Sequence, residues 1–464
     1  MNVLFASSEI VPFAKSGGLA DVAAALPKAL NTSIATARVM PLYGFMKKDT
    51  LTPTNHAFCM ELGGINYEIA IYQSDQDGVR TYFIQAPLLS DTLHLYGNLE
   101  AYANNDLRFG IFSKATVYLA KYLQIDILHL NDWHSALCAL WLQEIYPHAK
   151  CIFTIHNLAY QGIFERESLQ RLGISTQHFT SEDLEFYGQC NFMKAGIKYA
   201  NAITTVSPNY AKEILTPEFG CGLDGFLNRH KKKLTGIING LDTKLFNAKS
   251  DLALVANFDE TTLKFKNKNK SFILKETKLK DTKRPLFVMI SRLTKQKGFD
   301  ILLQSLEALL AQDINLLLLV DGESTFQEAL KKTTGTHPNM AMRLGFDEKL
   351  SHQIYAAADF FLMPSHFEPC GLTQLISYRY GVIPIVRDTG GLHDSVHENS
   401  HQCGQGIRFK QPTSNAFKRA INRALVLYQN KKKLQEIQIF NLQCDFSFKH
   451  SALEYKKLYE AVPS

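Results

Sequence analysis

The sequence predicts an α/β protein built from two doubly wound parallel-sheet domains facing a cleft, and three observations lead there. The chain has 464 residues, more than one hydrophobic core ordinarily serves, because single cores stop growing near about 250–300 residues. Its second half alternates short apolar runs with helix-like spacing, the pattern of parallel strands joined by crossover helices. Its first half opens in the same grammar, with an apolar run, a Gly-Gly turn and a helix.

Taken in order, the first strand is expected at 3–6, followed by Gly17-Gly18 and a helix beginning near Leu19. Further buried strands are expected at 127–130, 151–155 and 203–206. The stretch Ile238-Asn239-Gly240-Leu241-Asp242 reads as a strand end followed by turn chemistry, so the seam between domains is expected just after it. Beyond the seam, strands are expected at 286–290, 316–320, 341–344, 360–363 and 383–386, with helices at 299–311, 326–332, 349–358 and 372–380. The domains then span 1–242 and 243–445, and a closing helical segment, 446–464, returns to the first. Ligands of open α/β sheets bind beyond the carboxyl ends of the strands, where the strand order reverses, so the chemistry is expected in the loops there.

Apolar residues make up 46% and charged residues 20% of the chain, the composition of a folded globular protein. The net charge of +6 is spread along the sequence. The one dense run, Lys264, Lys266, Lys268, Lys270, Lys275, Lys278 and Lys280, reads as a solvated helix face, so no nucleic-acid partner is expected. A mildly basic enzyme does steer a phosphorylated substrate toward itself. The eight cysteines form no Cys-x-x-Cys pair and lack the close spacing of a disulfide framework, which favours a reducing, cytoplasmic setting. Residues 1–11 carry Glu9 and no basic start, so they read as a strand and its loop instead of a signal peptide. No apolar run approaches the roughly 20 residues of a membrane span, so no membrane partner is expected.

Candidate functional residues cluster where strands end. After the first strand comes Lys15-Ser16-Gly17-Gly18-Leu19-Ala20-Asp21, whose paired glycines allow a tight turn and close approach of a phosphate or sugar to a helix N-terminus. Its counterpart in the second half is Ser291-Arg292-Leu293-Thr294-Lys295-Gln296-Lys297-Gly298, where cations beside a glycine can neutralise a departing diphosphate in place of a metal ion. For Lys295 a plain solvated role is a serious alternative; for Arg292 and Lys297 it is less so. The stretch from Pro364 to Gln374 places Glu368 at a strand mouth, where a carboxylate can hold sugar hydroxyls or serve as a turn cap. Two more clusters end strands of the first half: His129 to His134, and Thr154 to Gly162 with His156 and Asn157. The spacing of His129 and His134 matches no standard zinc site, so polar contact with substrate is favoured over metal. There is no dinucleotide fingerprint, Walker loop or serine nucleophile elbow.

Together these residues resemble the bacterial glycogen synthase and plant starch synthase family, retaining glycosyltransferases of the GT-B architecture with two Rossmann-like domains. The match runs nearly end to end: Ser7-Ser8-Glu9, Lys15 to Asp21, Asp132-Trp133-His134, His156 to Gly162, Thr205-Val206-Ser207-Pro208, Asn239-Gly240-Leu241-Asp242, Ser291 to Gly298, Phe367 to Gln374, Thr389-Gly390-Gly391-Leu392 and Asp445-Phe446-Ser447. The resemblance implies transfer of glucose from ADP-glucose to the non-reducing 4-hydroxyl of an α-1,4-glucan, with retention and without metal or other cofactor. It gives Arg292 and Lys297 the diphosphate, with Lys15, Ser16, Gly17, Gly18 and Asp21 approaching from the other domain. Glu368 falls on the donor sugar, Cys370, Gly371, Leu372 and Thr373 line its pocket, and Asp132, His156, Asn157 and Asn239 surround the donor glucose. Tyr96 falls near the acceptor, and Phe346 takes the place of a tyrosine that stacks on adenine. The chain departs from the family at Ser16 (usually Thr), at Val320 (usually Gly), at Phe448 (usually Trp) and in a short segment near Tyr96. Three other readings stand beside this one: the same transfer from UDP-glucose, a different GT-B reaction such as sugar-nucleotide epimerisation or phosphorolysis, and a glucan-binding relative without activity.

Overall fold

The computed structural model describes residues 1–98, 100–279, 283–398 and 400–462; Lys280 of the lysine run lies outside them. The chain divides into two compact units. One is Met1–Gly240 together with the C-terminal stretch that begins at Phe448, and the other is Leu241–Ser447.

The first unit holds β1 (Asn2–Ala6), β2 (Ala35–Pro41), β3 (Thr52–Leu62), β4 (Ile65–Ser74), β5 (Arg80–Gln85), β6 (Ile127–Asn131), β7 (Lys150–Ile155), β8 (Ile163–Phe164), β9 (Glu185–Phe186), β10 (Gln189–Asn191), β11 (Ala202–Thr205) and β12 (Leu234–Gly236). Nine of these form one sheet in the order β12-β11-β7-β6-β1-β2-β5-β4-β3, and β8-β10-β9 make a small sheet of their own. From β12 to β5 every neighbour is parallel. The strands of this part are buried on both faces, as in β6, and so read as unbroken apolar runs. The β3–β4 hairpin at the edge is antiparallel, and its turn is Gly63-Gly64, both with positive φ, the geometry a two-residue hairpin loop requires. The order reverses between β1 and β6.

The second unit holds β13 (Leu286–Leu293), β14 (Asn315–Gly322), β15 (Met340–Leu344), β16 (Phe360–Met363), β17 (Ile383–Arg387) and β18 (Ile407–Phe409), all parallel in the order β15-β14-β13-β16-β17-β18. Here the reversal lies between β13 and β16. Each expected strand of this half is present, and β18 with the two helices that follow it, Ser414–Gln429 and Lys431–Gln443, adds to them. The sheet separates two apolar layers. On one side Phe299, Leu302, Leu306, Leu309, Phe417 and Ile421 pack on the strands, and on the other Ile273, Leu274, Ile354, Tyr355 and Leu375 do.

The helix Lys449–Ala461 belongs to the first unit. Phe448, Ala452, Tyr455 and Tyr459 share a core cluster with Val3, Phe5, Leu26 and Ile152, Ser451 donates to the Ile238 carbonyl at 2.6 Å, and the Tyr459 hydroxyl meets His129 Nδ1 at 2.6 Å.

Three expectations are corrected here. The lysine run is not one solvated face: Lys264, Lys268, Lys275 and Lys278 are exposed, but Lys266 and Lys270 are buried. Lys266 Nζ donates to the carbonyls of Ala356 at 3.0 Å and Tyr380 at 2.8 Å, with Tyr355 at 3.4 Å, so it caps two helix ends. Lys270 Nζ pairs with Asp359 at 2.7 Å. A helix packed on a sheet buries whatever residue its inner stripe carries, and here carbonyls and a carboxylate make lysine tolerable. Secondly, Cys403 and Cys444 form a disulfide with Cα atoms 5.6 Å apart, a pair that a separation of 41 residues hides in the sequence. Thirdly, His129 is fully buried between Tyr459 and Thr154, and burial pulls its pKa down to about 3, so it is a neutral core residue and not a polar contact for substrate. No helix of the described residues is long and apolar enough to cross a membrane.

Candidate active site

In each unit most of the residues singled out from sequence fall at the reversal of strand order, after β1 and β6 and around the ends of β13 and β16; His156 and Asn157 follow β7, Asn239 follows β12, Phe346 follows β15, and Tyr96 lies in the connection from β5 to β6. In the first unit, Ser7, Ser8 and Glu9 follow β1 and are buried. Glu9 turns back to accept the backbone N–H of Ser16, that of Gly17 at 3.3 Å and the Ser16 hydroxyl at 3.1 Å. Burial pushes its pKa up, while the Ser16 and Gly17 hydrogen bonds pull the other way. The carboxylate thereby shapes the Gly17-Gly18 turn, from which the helix Gly18–Leu30 starts without a side-chain cap, so its first N–H groups face the loop. Lys15 pairs with Asp21 of that first helical turn at 2.7 Å, both partly exposed.

Across the reversal, β6 ends at Asn131 and Asp132 follows with φ 56°, a left-handed conformation that a non-glycine residue adopts only when its surroundings force it. Its Oδ1 accepts the N–H of His156 at 2.8 Å and of Asn157 at 3.5 Å. Burial raises the Asp132 pKa to about 7 against those two bonds, with the Glu9 charge adding to the rise. His156 Nε2 lies 2.9 Å from Asn131 Oδ1, and the Asn131 amide nitrogen donates to the Ala6 carbonyl at 3.1 Å. The oxygen therefore faces the imidazole, which carries its proton on Nε2 and leaves Nδ1 an acceptor. Burial lowers the His156 pKa to about 3, so the ring is neutral. Asn239 is buried, and its Oδ1 has no hydrogen-bond partner among the described residues. The Tyr96 hydroxyl meets Ser8 Oγ at 2.8 Å, and its ring stacks on His134 at 4.7 Å.

In the second unit Lys297, at the end of the turn after β13, reaches both oxygens of Glu368 at 2.8 and 2.7 Å, and Ser365 donates to the same carboxylate at 3.1 Å. Glycines bring these loops together. Gly298 has φ 75°, and a Cβ there would lie 2.0 Å from the Pro364 carbonyl oxygen; a Cβ on Gly390, φ 48°, would lie 2.0 Å from that of Glu368. Gly391 N–H donates to the Glu368 carbonyl at 3.0 Å. Arg292 is exposed, and its guanidinium has no partner among the described residues. Cys370 is buried, Gly371 has φ 73°, and Leu372 and Thr373 open the helix Thr373–Arg379 without a side-chain cap. Phe346, after Gly345, is 69% exposed, a flat apolar face presented to solvent. Val320 is buried in β14 opposite Leu344 and Ser291, and Gly322, φ 140°, makes the turn.

Each half thus pairs cations or open helix N–H groups with a buried carboxylate, a combination that suits an anionic, polyhydroxylated ligand. Glu9, Asn131, Ser365 and Gly390 join the residues assigned a role from sequence. Glu9 and Gly390 lay inside quoted motifs, and an acid just past a buried strand was the available signal. Asn131 and Ser365 also lie inside singled-out stretches, His129 to His134 and Pro364 to Gln374, but nothing there distinguishes them from their neighbours. Among the described residues no group of three or more His, Cys, Asp and Glu is arranged to hold a metal ion.

Residues 2–229 match the family model described as starch synthase catalytic domain, and residues 271–438 match glycosyl transferases group 1. The chain is 40% identical to a glycogen synthase of Syntrophotalea carbinolica, over 99% of this chain and 98% of that one. It is 39% identical to a glycogen synthase of Bacillus cereus (strain Q1) over the whole of both. Among solved structures it is similar to the catalytic domain of starch synthase IV from Arabidopsis thaliana bound to ADP and acarbose, with a TM-score of 0.91 at 32% identity, covering 99% of this chain and 98% of that one. A sucrose-phosphate synthase from Thermosynechococcus elongatus, 17% identical with a TM-score of 0.64, shares the fold alone. With relatives this similar over their full length and the two sheets ordered as described, the chain belongs to the glycogen synthase and starch synthase family, as a GT-B hexosyltransferase with glycogen synthase function.

Proposed function

We propose that the chain transfers glucose from ADP-glucose to the non-reducing 4-hydroxyl of an α-1,4-glucan, keeping the anomeric configuration and releasing ADP. The observation that carries this reading is the Lys297–Glu368 pair at the reversal of the second sheet, beside an Arg292 that no described residue engages. A sugar nucleotide supplies what both lack, phosphate oxygens for the cations and hydroxyls for the carboxylate. The starch synthase relative bound to ADP and acarbose supports a nucleoside diphosphate and an oligosaccharide as ligands of this fold.

In this mechanism the bond from C1 to the phosphate oxygen lengthens first, and the sugar gains oxocarbenium character. Arg292, Lys297, Lys15 and the open N–H groups that the Gly17-Gly18 turn leaves at the start of the helix Gly18–Leu30 stabilise the charge gathering on the leaving diphosphate, with Ser16 and Asp21 holding that loop. No metal or other cofactor takes part. Glu368 and the Cys370 to Thr373 backbone hold the sugar hydroxyls. The neutral His156, with Nδ1 as acceptor, and Asp132, Asn157 and Asn239 orient the glucosyl unit, and Tyr96 lies toward the acceptor. The acceptor hydroxyl enters on the face the phosphate leaves, forms the new bond to C1 and gives its proton to the departing phosphate oxygen, which keeps the configuration without a covalent nucleophile. Phe346 offers its ring to the adenine. The enzyme works in the cytoplasm, with neither nucleic acid nor membrane as partner.

Glucose incorporation into glycogen from ADP-glucose and UDP-glucose in parallel, with a chelator present, tests this. ADP-glucose turnover that falls at least about hundredfold in Lys297→Ala is expected. UDP-glucose is the second reading, because Phe346 and Val320 are the departures from the family that fall on the base side of the donor; turnover with UDP-glucose alone would move the donor and keep the mechanism. Failure with both would leave glucan binding without transfer.

A further inference from the structure

The two most exposed Phe, Tyr or Trp rings among the described residues stand one in each unit, Phe346 at 69% and Tyr187 at 81%. Phe346 already has a role as a platform for the base. Tyr187 has none. It is the first of the two residues, Tyr187-Gly188, that join β9 to β10, and both have positive φ, 50° and 82°. That sign pattern belongs to a type I′ hairpin turn, where Asn-Gly or Gly-Gly is the easy choice and a bulky aromatic is not.

The conformation is nonetheless well supported. Gly188 N–H donates to Glu185 Oε1 at 2.8 Å, the Phe186 ring meets Tyr187 edge-on at 4.7 Å, and a Cβ on Gly222 would come within 3.4 Å of the Tyr187 ring. The small sheet that carries it is built onto the candidate site. Trp133, next to Asp132, lies 5.5 Å from Phe164 of β8 and 6.4 Å from Phe192, just after β10. Gly162 makes room for the indole, since a Cβ there would sit 2.3 Å from it. The connection from His156 into β8 leaves Tyr160 49% and Ile163 40% exposed as well.

A non-glycine backbone held in the left-handed region and a large ring left in water both disfavour folding, and their coincidence points to a ligand for the ring. The flat face of a phenol suits the C–H face of a pyranose, and the acceptor is a polymer that extends past any pocket sized for one glucose. We infer that Tyr187 is a stacking contact for the acceptor glucan, holding sugar units behind the reacting end; this rests on reading the acceptor as an α-1,4-glucan.

Tyr187→Gly and Tyr187→Asn test it, because both remove the ring and suit the turn. A tyrosine with only a structural role predicts unchanged kinetics in both. The expected result is a Tm no lower than wild type, a KM for glycogen raised about tenfold, and kcat at saturating glycogen and KM for the sugar nucleotide within about twofold. Tyr187→Trp restores the glycogen KM. Electrophoresis through a glycogen-containing gel reads binding without turnover and shows less retardation of the two ring-less variants. Wild-type KM and retardation in Tyr187→Gly overturn the inference and leave the proposed reaction standing. If the wild-type chain shows no transfer, the proposed reaction falls, and the gel alone decides on Tyr187: equal retardation of variant and wild type, or none of either, overturns it.

Discussion

Asp132 keeps a carboxyl group in water-poor surroundings, and the acid–base consequence can be tested. Its pKa, raised by burial to about 7 from an ordinary 3.8, lets the folded chain bind a proton that the unfolded chain has released. Between those values folding loses stability as pH rises, and above about 7 the loss is complete. Asp132→Asn removes the ionisation and keeps an acceptor for the His156 N–H. Its Tm, followed by scanning fluorimetry, should therefore exceed that of wild type at pH 8, with the gap closing toward pH 4, while glucose transfer falls by at least about a hundredfold. Lys297 and Glu368 make a second case. Lys297→Ala strands a buried carboxylate and Glu368→Gln leaves the ammonium without its counter-charge, so each should cost about 2 kcal/mol in urea unfolding, and the double variant less than the sum. Individual charges such as these were legible in the sequence, because cations and an acid beside glycines at strand ends have few structural uses. Their pairing was not, since Lys297 and Glu368 lie on separate loops brought together by Gly298 and Gly390.

Lys266 ties the helix Lys266–Glu276 to the ends of the helices Glu348–Ala357 and Thr373–Arg379 through the carbonyls it caps. Lys266→Met keeps the length of the side chain and removes the donors, leaving buried carbonyls unpaired at about 1–3 kcal/mol each. A drop of several kcal/mol in the stability of the second unit is expected by urea titration, whereas Lys268→Met on the exposed face should be nearly silent. Which elements could be read from sequence follows from their surroundings. Strands β13, β14, β16 and β17 lie between two helical layers, so both faces are apolar and the runs are unbroken. Strands β3 and β4 at the sheet edge largely alternate exposed residues with buried or half-buried ones, and the Gly63-Gly64 pair between them is the local mark of their hairpin. Lysine spacing alone could not separate the buried stripe of Lys266 and Lys270 from the exposed one, because that depends on which carbonyls and carboxylates lie beneath.

The chain passes from the first unit to the second after Gly240 and returns at Phe448. The two-domain organisation was visible in the repeated strand and helix pattern, but the disulfide between Cys403 and Cys444 was not, since no local spacing announces a bond across 41 residues. That bond lies wholly within the second unit. Reduction should therefore lower one calorimetric unfolding transition, by an amount equivalent to about 2–4 kcal/mol, and leave the other in place. A chain ending at Ser447 should show the reverse, because it strips Tyr455 and Tyr459 from the core around His129 while the second unit loses nothing of its own. The return of the chain also sets an order of events during synthesis. The first sheet leaves the ribosome early but cannot close its core until the helix Lys449–Ala461 has been made, and at about 5–20 residues per second the roughly 200 residues in between take about 10 to 40 s. Over that interval the nascent first unit exposes an apolar face, which makes the middle of the chain the first part to mature and the beginning a natural client for chaperones.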